Sequence, residues 1–284
     1  GAVATQSFAN VTYGPDGLDH LGAGLSASQA MDRLVGADPL RAQRQAGIVD
    51  AHGGAATHTG SSCFAWAGGQ IGPGFAAQGN ILAGPAVVDG LVDTFLGGGR
   101  PFPELLVACL AAADAAGGDR RGRESASLLV VRAGGGYGGG NDRWIDLRVD
   151  HHDDPIGELG RHLELHHLYL DRPAVEELLP IDEALAGELV RLLKRVGAEP
   201  GGPLATLYEQ MDPDAAATAS GDDGERPMTG TPRELPRGWD PSWHGALGDW
   251  MGVENLEERT AAPGWIDPRV LAVLRSKAAA ARRR

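Results

Sequence analysis

Cysteine is nearly absent from this chain. Only Cys63 and Cys109 occur, far apart and without a partner motif, which excludes a disulfide framework or a thiolate zinc knuckle. Aromatic residues make up only 5% of the sequence, which argues for tight backbone approaches rather than a bulky aromatic core. Basic character is also missing. The formal net charge of −13 opposes general nucleic-acid or anionic-membrane binding, because phosphates would be repelled. The one basic run, Arg282-Arg283-Arg284, reads as a solvated end. No stretch approaches the ~20 apolar residues of a spanning helix. No signal-peptide pattern appears, so the expected location is cytoplasmic. The chain opens on Gly1-Ala2-Val3-Ala4-Thr5 without methionine, however, and an upstream piece could hide a signal.

Glycine is abundant, with 43 among 284 residues, a length that suits one large domain or one domain with a small appendage. Residues 2–9 read as a strand already in progress. The YGPDG turn at Tyr13–Gly17 leads into helical spacing through Leu18, Leu21, Leu25, Ala30, Met31 and Leu34. Asp38-Pro39 punctuates the pattern and could open a further helix. Gln45–Asp50 and Ala55–Thr59 read as strands around a His52-Gly53-Gly54 hairpin, and Phe75–Leu82 continues the sheet. Helices are expected near 85–96, 103–116, 155–170 and 182–196, with strands at Ser125–Arg132 and Arg143–Val149. Strands, helices and strands in this order suit layered α/β packing with antiparallel pairs. Residues 211–234 are small, polar and acidic and read as a linker. Beyond them four of the six tryptophans fall within 239–265, which marks a separate module.

Several motifs imitate known chemistry and fail on their context. Gly117 and Gly122 occupy the glycine positions of a phosphate loop. Arg123 and Glu124 stand where lysine and a hydroxyl residue are required, and the loop follows a helix instead of a strand. Nucleotide binding is therefore rejected. Gly22-Ala23-Gly24 lacks the preceding strand of a dinucleotide fingerprint. His162, His166 and His167 lie at helical spacing without the HExxH glutamate, so neither a metal nor a cofactor is expected.

The Gly117–Ser125 stretch keeps its interest after that rejection. Arg121 and Arg123 alternate beside Asp119, so an extended chain could aim both guanidinium forks at a substrate carboxylate. The competing reading is an internal ion pair of Asp119 with one arginine. Polar groups at strand ends, Gln6 to Asn10, Thr59-Gly60-Ser61 and Gln78-Gly79-Asn80, could line a pocket that hydrogen-bonds an amide, or could serve only turn chemistry. Thr5, Ser7, Ser125 and Cys63 are available nucleophiles. None sits in a GxSxG elbow or beside an evident histidine base.

QSFAN at Gln6–Asn10, YGPDGL at Tyr13–Leu18, QAGIVD at Gln45–Asp50 and THTG at Thr57–Gly60 stand in an order seen elsewhere. So do QGNILAG at Gln78–Gly84, GGDRRGRESA at Gly117–Ala126 and GGYGGGNDRWIDLRVD at Gly135–Asp150. Over about residues 1–170 the chain resembles the family called domain of unknown function 1028, which is itself similar to N-terminal nucleophile (Ntn) hydrolases. That resemblance implies an α+β fold, a four-layer αββα sandwich with Leu128–Val131 covered on both faces. It also implies that the first strands lie before Gly1, together with the nucleophile, which in Ntn enzymes is the first residue of the mature chain. Trp239, Trp243, Trp250, Glu254-Asn255-Leu256-Glu257 and Trp265-Ile266-Asp267 resemble a module named for peptidoglycan binding. The same tryptophans could simply form a small core.

The resulting expectation is a domain over 1–210, an acidic linker over 211–234 and a small helical module over 235–284. The leading reading is an Ntn-type amidohydrolase acting on a small amide or peptide-like substrate, with Asn80, Asp119 and Ser125 as supporting catalytic residues and Arg121 and Arg123 holding the substrate. A homo-oligomer is expected, with cell-wall glycan as the partner of the tail and neither nucleic acid nor membrane as a partner. The alternative is a non-catalytic binding or scaffold protein on the same fold.

Overall fold

The computed structural model describes residues 1–202 and 228–281, and packing divides it into two compact units, Gly1–Leu163 and Glu164–Arg284. It is a mixed α/β protein with several small antiparallel sheets and a largely helical C-terminal region. None of the described helices is long and apolar enough to cross a membrane.

In the first unit, β1 (Ala2–Gln6), β2 (Gln45–Val49) and β3 (Ala55–Thr59) form an antiparallel sheet with β2 in the centre. One face carries Val3, Ala46, Ile48 and Ala56. It packs on Tyr13, Ala30, Met31 and Leu34 from α1 (Tyr13–Gly22) and α2 (Ala27–Ala37). Ser26 starts α2 with a reciprocal capping box to Gln29. The other face meets the hairpin of β4 (Gly68–Gly72) and β5 (Phe75–Gly79). Behind that hairpin lies α3 (Ala86–Gly97), whose Val88 and Val92 bury Phe75, and α4 (Phe102–Ala115) packs on α3. A second hairpin, β6 (Ala126–Val131) with β7 (Arg143–Val149), buries Leu128, Val130, Ile145 and Val149 against α4 and Leu159 and Leu163 of α5 (Pro155–Tyr169).

Four sequence expectations need correction here. Phe75–Leu82 does not continue the first sheet: its strand ends at Gly79 and pairs with β4 in a separate two-stranded sheet. The first strand stops at Gln6 instead of running to residue 9, because Ser7 and Phe8 adopt left-handed backbone angles that break extension. No helix opens at Pro39; a short 3-10 turn at Arg41–Gln43 follows instead. Leu128–Val131 is not covered on both faces. Leu128 and Val130 point inward, whereas Leu129 and Val131 are 58% and 61% exposed.

Asp38 ties the first unit together at the end of α2. It accepts hydrogen bonds from Arg44 Nε (2.9 Å), Tyr13 Oη (3.1 Å) and the Leu40 amide (2.7 Å). The Arg44 guanidinium holds its carboxyl down at about 2, against burial, which acts the other way. Burial and the Asp38 carboxylate together raise the Tyr13 phenol to about 12.

The second unit contains α6 (Glu183–Arg195), α7 (Pro241–Val253), α8 (Pro268–Ala281) and a two-residue pairing of β8 (Leu179–Pro180) with β9 (Trp265–Ile266). Asp182 and Asp240 cap α6 and α7 through their side chains. One core joins Leu189 and Leu193 of α6 to Trp239, Leu247, Trp250, Val270 and Leu274. Of the expected linker, 211–227 lies outside the described residues. Within 228–234, the Thr229 amide donates to Thr260 O (3.1 Å) and Arg233 stacks on Trp265 at 4.6 Å.

His244 sits inside this core, 5% exposed, and burial lowers its imidazole from 6.5 to about 4. The folded unit therefore holds the ring neutral while the unfolded chain protonates it near 6.5. The stability is intact above that value and is lost as the pH falls from 6.5 toward 4. Full loss is about 3 kcal/mol at about 1.4 kcal/mol per pKa unit. Urea midpoints followed by tryptophan fluorescence should fall across that window in wild type and stay flatter in His244→Gln. Equal acid sensitivity of the two proteins would refute the assignment.

Candidate functional site

The glycine-rich turn after α4 begins with Gly117 at φ +114° and Gly118 at φ +53°. A Cβ on Gly117 would stand 2.7 Å from Ala83 Cβ, so the turn needs glycine for both angle and space. Main-chain bonds fasten it to the segment after β5: Ala83 N donates to Gly118 O (2.9 Å) and Arg120 N to Ile81 O (2.8 Å). Arg120 Nη1 adds a bond to Ala65 O (2.9 Å).

This turn forms one wall of a cleft of about 590 Å³. Asp119, Arg121, Arg123 and Ser125, all singled out from sequence, line it together with Asp114 and Glu124. Arg121 donates through Nε (3.0 Å) and Nη2 (2.7 Å) to Asp119, which also accepts the Arg121 amide (2.8 Å). Arg123 pairs in the same way with Asp114, at 2.8 and 2.7 Å. The internal ion pair and the shared cleft are thus both present. The hydrogen bond and charge of Arg121 lower the Asp119 carboxyl, and Asp119 raises the Arg121 guanidinium in return. In each arginine the Nε/Nη2 edge is occupied and Nη1 remains for an incoming acceptor. Ser125 is exposed, and no histidine or carboxylate among the described residues hydrogen-bonds its hydroxyl.

Asn80 is not in the cleft lining. Its Nδ2 donates to Gln45 Oε1 (3.2 Å), between the two stacked sheets. There the polar strand ends noted in the sequence converge on Gln45, which is fully buried. Gln45 Oε1 accepts from Gln6 Nε2 (2.8 Å), and its Nε2 donates to Thr59 Oγ1 (2.9 Å), Gly79 O (2.8 Å) and Gly68 O (3.2 Å). Gln78 crosses the same space. A Cβ on Gly47 would come within 2.4 Å of its Oε1, an acceptor that is buried without a hydrogen-bond partner.

Two features here escape sequence reasoning. Of the four described non-glycine residues with positive φ, three (Ser7, Phe8 and Ile81) flank this polar layer, and such angles are stored strain. Asp114, the partner of Arg123, lies nine residues earlier on α4, where only the returning turn could reveal it. Of the histidines at helical spacing, His166 and His167 share Asp171, with His166 Nε2 at 3.9 Å from it, and His162 is engaged elsewhere. His162 contacts Glu158 at 3.0 Å and His167 contacts Asp171 at 2.5 Å.

Residues 1–159 match the model described as "Family of unknown function (DUF1028)", and residues 231–274 match one described as "Putative peptidoglycan binding domain". A crystal structure of protein SPO2555 from Silicibacter pomeroyi, itself carrying the first of these models, is similar at 29% identity and a TM-score of 0.53. The similarity covers 58% of this chain and 69% of that one. No curated protein matches.

Proposed function

Since this chain belongs, through residues 1–159, to the family of unknown function DUF1028, we propose that its first unit is an Ntn-type αββα sandwich. We further propose that it hydrolyses a small amide or peptide-like substrate in the cleft beside the Gly117–Ser125 turn. What supports the fold reading is the order of layers: α1 and α2, the three-stranded sheet, the β4–β5 hairpin, then α3 and α4. What carries the site reading is the convergence of Asp119, Arg121, Arg123 and Ser125 on one cleft.

In this reading the Nη1 groups of Arg121 and Arg123 receive the substrate carboxylate. Asp119 positions Arg121 and does not itself touch the substrate. Asn80 serves the scaffold through Gln45 rather than the oxyanion. The Ntn reading requires a threonine, serine or cysteine at the mature N-terminus of the full-length protein. The 231–274 match supports association of the second unit with cell-wall glycan, seen as co-sedimentation of the whole chain with sacculi. Loss of sedimentation only when soluble muropeptides compete would confirm specificity, and no sedimentation at all would remove this role.

The deciding experiment is turnover of a panel of N-acyl amino acids by the full-length protein. Removing a charged hydrogen bond is worth about 1.5–3 kcal/mol, so Arg121→Ala should lower kcat/KM about tenfold or more. Asp119→Asn should act on KM rather than kcat. A folded Arg121→Ala protein with undiminished activity would remove the site assignment. A mature terminus without a nucleophile, and no turnover across the panel, would leave the non-catalytic binding reading. The closed Nε/Nη2 edges and the unassisted Ser125 are the observations on that side.

A further inference from the structure

The cleft is not uniformly polar. Its charged rim comes from the Gly117–Ser125 turn and the end of α4. Its floor consists of Leu82 from the segment after β5, Val87 and Leu91 of α3, Leu110 and Ala113 of α4, and Ile156 at the start of α5. Val87 and Ala113 are buried, whereas Leu82, Leu91, Leu110 and Ile156 are only half-buried, so apolar surface faces the cavity itself. The space, about 590 Å³, is far larger than a carboxylate or a single amide group needs, and lies within the range of sites for drug-sized ligands. The rim acids Asp114 and Asp119 are each paired with an arginine, and the third, Glu124, meets His151 Nδ1 at 2.7 Å, so the rim offers hydrogen bonds without a strong net field. A wholly polar ligand would leave the floor wet, and a wholly apolar one would cover the arginines.

We infer that the cleft binds an amphipathic N-acyl amino acid, its aliphatic acyl chain on the Leu82–Leu91–Leu110–Ile156 floor and its carboxylate at the Arg121 and Arg123 Nη1 groups. The inference rests on the site proposed above and adds the substrate class. It concerns binding alone, and no bond need break for it to hold.

The test is calorimetric titration of the full-length protein with N-acetyl-, N-butanoyl-, N-hexanoyl- and N-octanoylglycine. Burying a methylene is worth up to about 0.8 kcal/mol, which is up to about fourfold in Kd. Affinity should therefore tighten about two- to fourfold per added methylene. Leu91→Asn should flatten that dependence, weakening N-octanoylglycine far more than N-acetylglycine. Ile156→Asn provides a second variant should the first fail to fold, with far-UV circular dichroism as the check. A series with no chain-length dependence would overturn the inference, as would an unchanged slope in both folded variants. A steep series without turnover would sink only the hydrolase reading. Turnover of short amides with a flat series would sink only this one.

Discussion

Replacing Arg259 by methionine should cost the second unit about 3–5 kcal/mol, the usual cost of stranding one partner of a buried ion pair. Arg259 and Asp267 are each 2% exposed. The guanidinium spends all three nitrogens inside the protein: Nη1 on Asp267 Oδ2, Nε on Leu168 O at 2.7 Å, and Nη2 on His167 O. It thereby donates to two carbonyls in the last turn of α5, where helix-end acceptors lack the usual intrahelical donor. Asp267 in turn accepts the Arg269 amide (2.6 Å) at the start of α8. Methionine fills much of the volume but takes the guanidinium donors away from Asp267 Oδ2 and from both carbonyls. Lysine keeps the charge yet cannot serve three acceptors at fixed angles, so Arg259→Lys should recover little. Urea unfolding followed by tryptophan fluorescence would read the change, since Trp239 and Trp250 lie in this core. A loss below about 1 kcal/mol, the worth of an exposed pair, would contradict the account. Adding Asp267→Asn to Arg259→Met should restore part of the loss, because asparagine still caps α8 while the stranded charge is gone.

The second large effect lies in the first unit. Gln45→Leu should destabilise it on the order of 3 kcal/mol, at about 1–3 kcal/mol for each buried group left unsatisfied. Glutamine here is the tie between two sheets: Thr59 lies beside it on β3, and Gly68 O and Gly79 O belong to the opposing hairpin. Leucine is close in size but offers no donor or acceptor, so Gly79 O and Gly68 O would lose a side-chain donor and Gln6 Nε2 and Asn80 Nδ2 their acceptor. Gln45→Glu should be no better, since a carboxylate would face those same carbonyls. Hydrogen exchange is the telling measurement. Protection should fall across β4–β5 as well as β2, and loss confined to β2 would argue against an inter-sheet tie.

Much of this fold is legible in the sequence because its cores obey simple periodicity. β6 and β7 alternate, α6 carries Leu189, Leu192 and Leu193 on one face behind an aspartate cap, and Gly53 at φ +82° makes the hairpin turn its dipeptide suggests. What escapes has physical reasons. β4 reads GGQIG, with one apolar residue and no alternation, and is held by its partner β5 rather than by propensity. Gln45 looks like an ordinary polar residue in QAGIV until a second sheet closes over it. The site residues were legible in part. Asp119, Arg121, Arg123 and Ser125 share one loop, so proximity in sequence carried over into space. Asn80 lies outside the cleft because its side chain turns into the sheet-to-sheet layer, a choice that only three-dimensional stacking makes. The tryptophans mostly form the core that the tail needs, with Trp239 and Trp250 buried at 1% and 5% exposure.

The packing of α6 has a consequence for where the second unit can be cut. The stretch that matches a family model begins at residue 231, yet the core it completes includes Ala186, Leu189 and Leu193. The heritable segment and the cooperative folding unit therefore have different borders. A fragment cut at 231 would leave Leu247, Trp250 and Leu274 without the helix that shields them, a greasy face inviting self-association. In this chain the segment from 231 and the amphipathic α6 therefore shield one another, and neither keeps its apolar face covered alone.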